Sequence, residues 1–196
     1  LKDEEAITIH LLPDIYPMGE ERAVVRECLG IELNTTQLPS AANAIVCNVE
    51  TLARVAEAIE KINTCFSKNL TVIGKINGGN EPHVFMDVPV GTSVGEMIER
   101  AGGIDGVYGE IIMGGPFTGH ATTEDAPITK TTGGIIVTID FPDLHGASVG
   151  LLVCACGGSE ERMRDICQKM NGVVKSVARC KQAIENKPGA PLKCLR

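Results

Sequence analysis

The 196-residue chain contains no tryptophan, two tyrosines and four phenylalanines. Proteins that bind single-stranded nucleic acid stack the bases on aromatic side chains, so this composition argues against such a surface. The formal net charge is −7, whereas a protein that neutralises a phosphate backbone needs a basic face. A nucleic-acid partner is therefore not expected.

Long apolar runs are also missing. One of the longest, residues 149–156, is far shorter than the roughly 20 residues that a membrane-spanning helix requires. A basic segment followed by an apolar secretory signal is absent from the sequence. We therefore predict a cytoplasmic protein without direct membrane insertion, whose association with a membrane could come only through partner subunits.

The sequence has eight cysteines but no secretory signal, which indicates a reducing compartment where cysteines are thiols, metal ligands or redox centres. The four histidines do not cluster, so a zinc site built on them is not expected. The sequence contains no Ser/His/Asp triad and no phosphate-binding or dinucleotide fingerprint. The chain begins at Leu1 without methionine and ends shortly after a cysteine, from which we expect a segment of a larger polypeptide.

The pattern of apolar residues divides the chain into three segments. Residues 1–67 read as two strands (6–12 and 44–47) that alternate with two helices (20–29 and 49–62). Asn48 is expected to cap the second helix. Two strands are too few for a stable domain, so we expect this segment to pack on a further, N-terminal part of the protein.

The second segment, residues 68–144, has strand patterns followed by a helix that Thr92 or Ser93 caps and by two further strand patterns. This order is typical of a β-grasp domain. The third segment, residues 145–196, has a strand, a helix that Ser159 caps and another strand, which predicts a βαβ-like unit. The predicted fold class is thus a combination of α/β and α+β.

Four ordered blocks, LLPDIYPMGEERAVVRECLG, IVCNVETLARVAEAI, VPVGTSVGEMIERAGG and PITKTTGGIIV, resemble the C subunit of Rnf-type electron transport complexes. The chain is similar, more distantly, to the NADH-binding flavoprotein subunit of respiratory complex I. The resemblance covers residues 7–137. It implies a Rossmann-like domain that binds FMN and NADH, of which residues 1–67 would be the C-terminal part. A β-grasp domain of the soluble-ligand-binding (SLBB) type follows it, and FMN and NADH are the implied cofactors.

The resemblance also implies site residues. Gly19, Glu20 and Glu21 match the Gly-Glu-Glu that lies beside the flavin and the nicotinamide, although acidic residues at a helix start are equally explained by the helix dipole. Asn48 and Thr51 match residues that contact FMN. Cys47 stands where the family has asparagine, which removes one flavin hydrogen bond.

Two family features are not found in this sequence. The glycine-rich flavin loop and its lysine would precede Leu1, so we expect this chain alone not to retain FMN. The ferredoxin-like cysteine runs that ligate iron–sulfur clusters are absent. The chain instead continues as LVCACGGSEER, which is similar to the electron transfer proteins associated with clostridial proline reductase (PrdC) and implies other electron-transfer subunits, or a reductase such as proline reductase, as partners.

Cys154 and Cys156 lie between a strand pattern and a helix start. A helix N-terminus lowers the pKa of a thiol, and a Cys-x-Cys pair can relay two electrons by thiol–disulfide exchange. Two alternatives stay open, namely small buried residues at a strand end and a metal site completed by Cys180 and Cys194. Cys167 is expected in the core.

Two functions follow from these patterns. The first is an RnfC-like electron transfer flavoprotein that passes electrons from NADH through flavin to a partner reductase, with Cys154 and Cys156 as a thiol relay. The second is a non-catalytic β-grasp module that docks a partner or binds a ligand, in which the cysteines are structural.

Overall fold

The computed structural model describes residues 7–34, 37–61, 64–79, 81–155, 158–185 and 193–194. The chain has mixed α/β structure, as the sequence predicts. It divides into two units, the first ending at Val55 and the second beginning at Ala56.

The first unit contains helix α1 (Glu21–Leu29), a 3₁₀ turn (Pro39–Ala42) and the beginning of helix α2 (Val49–Lys61). Both helices confirm the prediction within one residue at each described end. Val25 on α1 and Pro39 are the buried residues of this unit among those described. Most of the apolar surface of its helices is therefore exposed within the unit.

The two strands predicted in this segment are wrong. Residues 7–12 and 44–47 are irregular, and residue 6 lies outside the described residues. Leu11 is 94% exposed and Ile45 is 89% exposed. A β-rich sequence forms a strand only when a neighbouring strand satisfies its backbone and a second layer covers its side chains. The described part of this unit supplies no ladder for either segment.

The second unit is built on a five-stranded sheet with the strand order β2-β1-β5-β3-β4. Strands β1 and β5 run parallel in the middle, and the other neighbouring pairs are antiparallel. This arrangement, with one helix in the crossover, is β-grasp-like. The strands are β1 (Ser67–Gly74), β2 (His83–Pro89), β3 (Ile111–Met113), β4 (His120–Thr122) and β5 (Gly134–Val137). The sequence did not predict β4, because three residues are too short to show an alternating pattern.

Helix α3 (Val94–Arg100) covers this sheet. Its Val94, Met97 and Ile98 are spaced to share one helix face, and each is at most 1% exposed. Ser93 caps the helix as predicted, because its Oγ accepts a hydrogen bond from the Glu96 N–H at 3.1 Å. The rest of the core comes from the strands and loops, namely Leu70, Val72, Ile76, Val88, Ala101, Ile111, Ile128, Ile135 and Val137.

The last part of the second unit confirms the predicted βαβ motif. Strand β6 (Ser148–Val153) pairs in parallel with β7 (Val173–Arg179), and helix α4 (Glu160–Lys169) connects them. A short antiparallel pair, β8 (Ala183–Ile184) and β9 (Lys193–Cys194), follows. Cys167 on α4 is 4% exposed, which confirms its predicted core position.

Candidate functional site

The first group of predicted cofactor-binding residues lies at the start of α1. Glu20 is the N-cap, and its Oε2 accepts the backbone N–H groups of Arg22 and Ala23, both at 3.1 Å. The Arg22 Nε donates to the other carboxylate oxygen at 2.9 Å. Burial raises the pKa of the Glu20 carboxyl, but these hydrogen bonds outweigh it and hold the pKa below its ordinary value. Glu20 therefore stays ionised at neutral pH.

A cleft of about 490 Å³ opens beside α1. This volume falls within the usual range for a small-molecule site. Glu20, Arg22, Arg26 and Glu32 all supply charged groups to its lining. Arg26 is itself paired with Glu27 at 2.9 Å. The remaining lining is Ile15, Pro17, Met18, Ala23 and Leu33.

The second group lies at the start of α2. The Asn48 Oδ1 accepts the backbone N–H of Glu50 at 2.9 Å, which confirms the predicted cap. The side chains of Cys47, Asn48 and Thr51 are all exposed. The cap uses the amide oxygen of Asn48, so its NH₂ group is presented to solvent at the positive end of a 13-residue helix.

Among the described residues, only Glu20 of the five predicted cofactor-binding residues lines the cleft beside α1. Gly19 and Glu21 flank it in sequence, and both are exposed. Sequence reasoning missed the two arginines that line the cleft. Arg22 and Arg26 are four residues apart and so share one face of α1, which is the signal that could have placed them together beside the helix start.

Cys154 directly follows β6 and is half-buried, whereas Cys156 lies outside the described residues. The backbone brings a different thiol to Cys154. Val153 is the register partner of Arg179, and the Cys180 N–H donates to the Val153 carbonyl oxygen at 2.8 Å. Cys180, also half-buried, therefore directly follows β7 at the same end of the strand pair at which Cys154 follows β6.

A charged cluster missed at the sequence level joins β3 to α4. The carboxylate of Glu110, 10% exposed, accepts from Arg162 Nη1 at 2.7 Å, from Arg162 Nη2, and from Lys169 Nζ at 2.9 Å. The hydrogen bond from Arg162 lowers the pKa of Glu110, against the effect of burial. The same contacts raise the pKa values of Arg162 and Lys169. The cluster lines a second cleft of about 600 Å³, but its charges are already paired.

Among the residues that the structure describes, no three His, Cys, Asp or Glu side chains are arranged to hold a metal ion. The side chain of Cys194 lies outside the described residues. None of the described helices is long and apolar enough to cross a membrane.

Comparison with known proteins shows similarity to a flavin-binding domain and to a reductase. Residues 1–57 match the family model of the Nuo51 FMN-binding domain. The chain is 35% identical over 134 residues to cobalamin reductase PduS of Salmonella typhimurium, a match that covers 68% of this chain and 29% of PduS.

Two further relatives are C subunits of ion-translocating complexes. The chain is 27% identical over 135 residues to the C subunit of the Na⁺-translocating ferredoxin:NAD⁺ oxidoreductase complex of Acetobacterium woodii, covering 68% of this chain and 30% of that relative. It is 32% identical over 129 residues to the C subunit of the ion-translocating oxidoreductase complex of Pseudomonas aeruginosa, covering 65% of this chain and 16% of that relative. The chain spans less than a third of each of these relatives. Over about two thirds of its length the chain is thus similar to PduS and to C subunits of ion-translocating complexes.

Proposed function

We propose that this chain is part of an electron transfer flavoprotein in which the first unit forms one side of an FMN site. The observation that carries the proposal is the match of residues 1–57 to an FMN-binding domain. The same residues include both predicted cofactor-binding groups, at the N-termini of α1 and α2.

The donors at the start of α2 fit FMN chemically. Asn48 offers its NH₂ group and Thr51 its hydroxyl, and both are exposed at the positive end of the helix. Phosphate and carbonyl oxygens accept such donors. Cys47 offers only a weak S–H donor at the position where the family has asparagine. When bound, FMN supplies the acceptor for a hydride from nicotinamide.

The start of α1 is the side that we assign to NADH. The Glu20 carboxylate is held ionised by Arg22 and by the helix N-terminus. The neighbouring Glu21 is exposed, so its carboxylate is open to solvent. Carboxylates accept hydrogen bonds from the ribose hydroxyls of dinucleotides. In this proposal Glu21 binds the ribose, while Glu20 fixes the geometry of the helix start.

For the second unit, we propose that the β-grasp-like sheet is of the SLBB type and contacts a neighbouring electron-transfer protein. Electrons leave toward that partner through a thiol centre that includes Cys154. We propose that the end of the chain places the protein in the PrdC group, and a reductase such as proline reductase is then the partner class to test first.

The alternative, a docking module without redox chemistry, has one observation in its favour. Strand β2 is an edge of the sheet, and its Val84 and Met86 are 64% and 66% exposed. An exposed apolar edge strand suits the addition of a strand from a partner.

An anaerobic titration separates the two functions. The protein that carries this chain is loaded with FMN and titrated with NADH while the visible spectrum is recorded. The flavoprotein proposal predicts bound flavin that is bleached by about one NADH per flavin, because hydride transfer moves two electrons. A protein that binds no FMN, or whose bound FMN is not reduced by NADH, would overturn the proposal and leave the docking module.

A further inference from the structure

We infer that Cys154 and Cys180 form a reversible cross-strand disulfide, a second redox centre that exchanges with disulfide substrates. The inference goes beyond the proposed flavin site and does not depend on it. It also replaces the pairing of Cys154 with Cys156 that the Cys-x-Cys spacing suggested.

The register of two parallel strands carries this inference. Leu152 pairs with Ala178 and Val153 pairs with Arg179, so one further step brings Cys154 beside Cys180. The ladder hydrogen bond from the Cys180 N–H to Val153, at 2.8 Å, holds this step in place. Neighbouring strands lie about 4.8 Å apart. That spacing falls within the 4.4–6.8 Å range, approximately, of Cα separations that a disulfide bridges.

The backbone on each side holds the pair in place. Cys154 forms an isolated antiparallel bridge with Gly158, which fixes the backbone at the end of β6. Cys180 starts a turn in which its carbonyl oxygen accepts the Ala183 N–H at 2.9 Å. Both thiols are half-buried rather than enclosed, so a substrate can reach them.

The position in the motif also suits a reactive site. Both cysteines follow the carboxyl ends of parallel strands, which is where α/β folds place their ligands. The N-terminus of α4, capped by Ser159, begins five residues after Cys154. The buried thiol of the same motif, Cys167, lies within the apolar layer and has no such access.

The proposed exchange has two steps. One thiolate attacks a disulfide substrate, forms a mixed disulfide and releases the first substrate thiol. The second thiolate attacks the protein sulfur of the mixed disulfide, forms the Cys154–Cys180 bond and releases the second substrate thiol. Two protein thiols lose two electrons and two protons, and the substrate disulfide gains them. The reverse sequence reduces a partner's disulfide.

The test uses the full chain, glutathione disulfide as the probe, and no flavin or NADH. After anaerobic incubation, the remaining thiols are alkylated and the digest is analysed by mass spectrometry without reduction. We expect a peptide linked through Cys154 and Cys180 in the parent chain. In Cys154→Ser and in Cys180→Ser, the remaining thiol should retain glutathione at a level at least tenfold higher than in the parent chain.

The control is Cys65→Ser. Cys65 is also half-buried, and its Sγ donates to the Ser67 carbonyl oxygen at 3.3 Å, a contact that serine can keep. This variant should behave as the parent chain does. Linkage of Cys154 to Cys156, or no linkage of Cys180 in the folded chain, would overturn the inference. The circular dichroism spectra of Cys154→Ser and Cys180→Ser should match that of the parent chain. A loss of the linkage in these variants then cannot be due to unfolding.

Discussion

Asn48 is the residue at which helix stability and the proposed flavin contact can be separated. Its Oδ1 caps α2 and its NH₂ group is exposed. Asn48→Asp keeps a good cap but replaces the donors with a negative charge. We expect the free energy of unfolding to stay within about 0.5 kcal/mol of the parent value. FMN binding should weaken at least tenfold, or by about 1.4 kcal/mol.

Two further variants complete this experiment. They are Asn48→Ala and, as a control at an exposed position farther along α2, Glu60→Gln. Asn48→Ala removes the cap and should cost about 1 kcal/mol of stability in addition to FMN affinity. Glu60→Gln should change neither quantity. Both quantities are measured in the protein that carries this chain, the free energy of unfolding by urea denaturation and FMN affinity by flavin fluorescence titration. If Asn48→Asp bound FMN with the affinity of the parent, Asn48 would be a cap alone.

Gly74, at the end of β1, is a residue whose backbone allows no side chain. Its φ is +110°, and a Cβ built there would lie 2.0 Å from the Val137 carbonyl oxygen. Gly74→Ala must therefore distort the central parallel pair of the sheet. We expect a loss of about 3 kcal/mol in the free energy of unfolding, measured by urea denaturation.

Gly133→Ala is the matched control for Gly74, because a Cβ at Gly133 has no atom within 4 Å. It should change the free energy of unfolding by less than about 0.5 kcal/mol. Equal stability of the two alanine variants would contradict the geometry at the end of β1.

At the scale of elements, the contact between Glu110 and α4 makes stability depend on pH. Arg162 lowers the pKa of the Glu110 carboxyl. A carboxyl with a lowered pKa stabilises the folded state above its unfolded pKa of about 4.3, and this contribution is lost as the pH falls through the lower folded value. We expect the free energy of unfolding to fall as the pH drops below about 4.

Glu110→Gln tests this contribution. The substitution should cost about 1–2 kcal/mol at neutral pH, because charged hydrogen bonds to Arg162 and Lys169 are weakened. It should also flatten the acid limb of the stability profile. The control, Glu160→Gln, removes an exposed pair with Arg164 and should cost less than about 0.5 kcal/mol. An unchanged acid limb in Glu110→Gln would assign the pH dependence to other carboxyls.

The elements also show what the sequence could predict. The caps at Asn48, Ser93 and Ser159 are local signals, and all three were predicted correctly. The ion pair of Glu110 with Arg162 joins positions 52 residues apart, so no local pattern contains it. The strand at residues 7–12 failed for a related reason, since a strand depends on a neighbour that the pattern itself does not specify.

At the scale of the whole molecule, the sequence predicted the mixed α/β class, the helix positions and the βαβ motif near the end. The candidate site was less predictable. The resemblance indicated that Asn48 and Glu20 bind the cofactors. Each of these side chains also caps a helix, and a side chain of the same type serves either role. The neighbour of Cys154 needed the register of β6 and β7, which requires the structure.

The proposed role of the first unit, as one side of an FMN site, can be measured in the protein that carries this chain. Hydrogen exchange is followed by mass spectrometry with and without FMN. We predict slower exchange with FMN at the starts of α1 and α2, residues 19–23 and 48–52, and no change in α3 of the β-grasp-like unit. Bound FMN that leaves exchange at both helix starts unchanged would contradict this role.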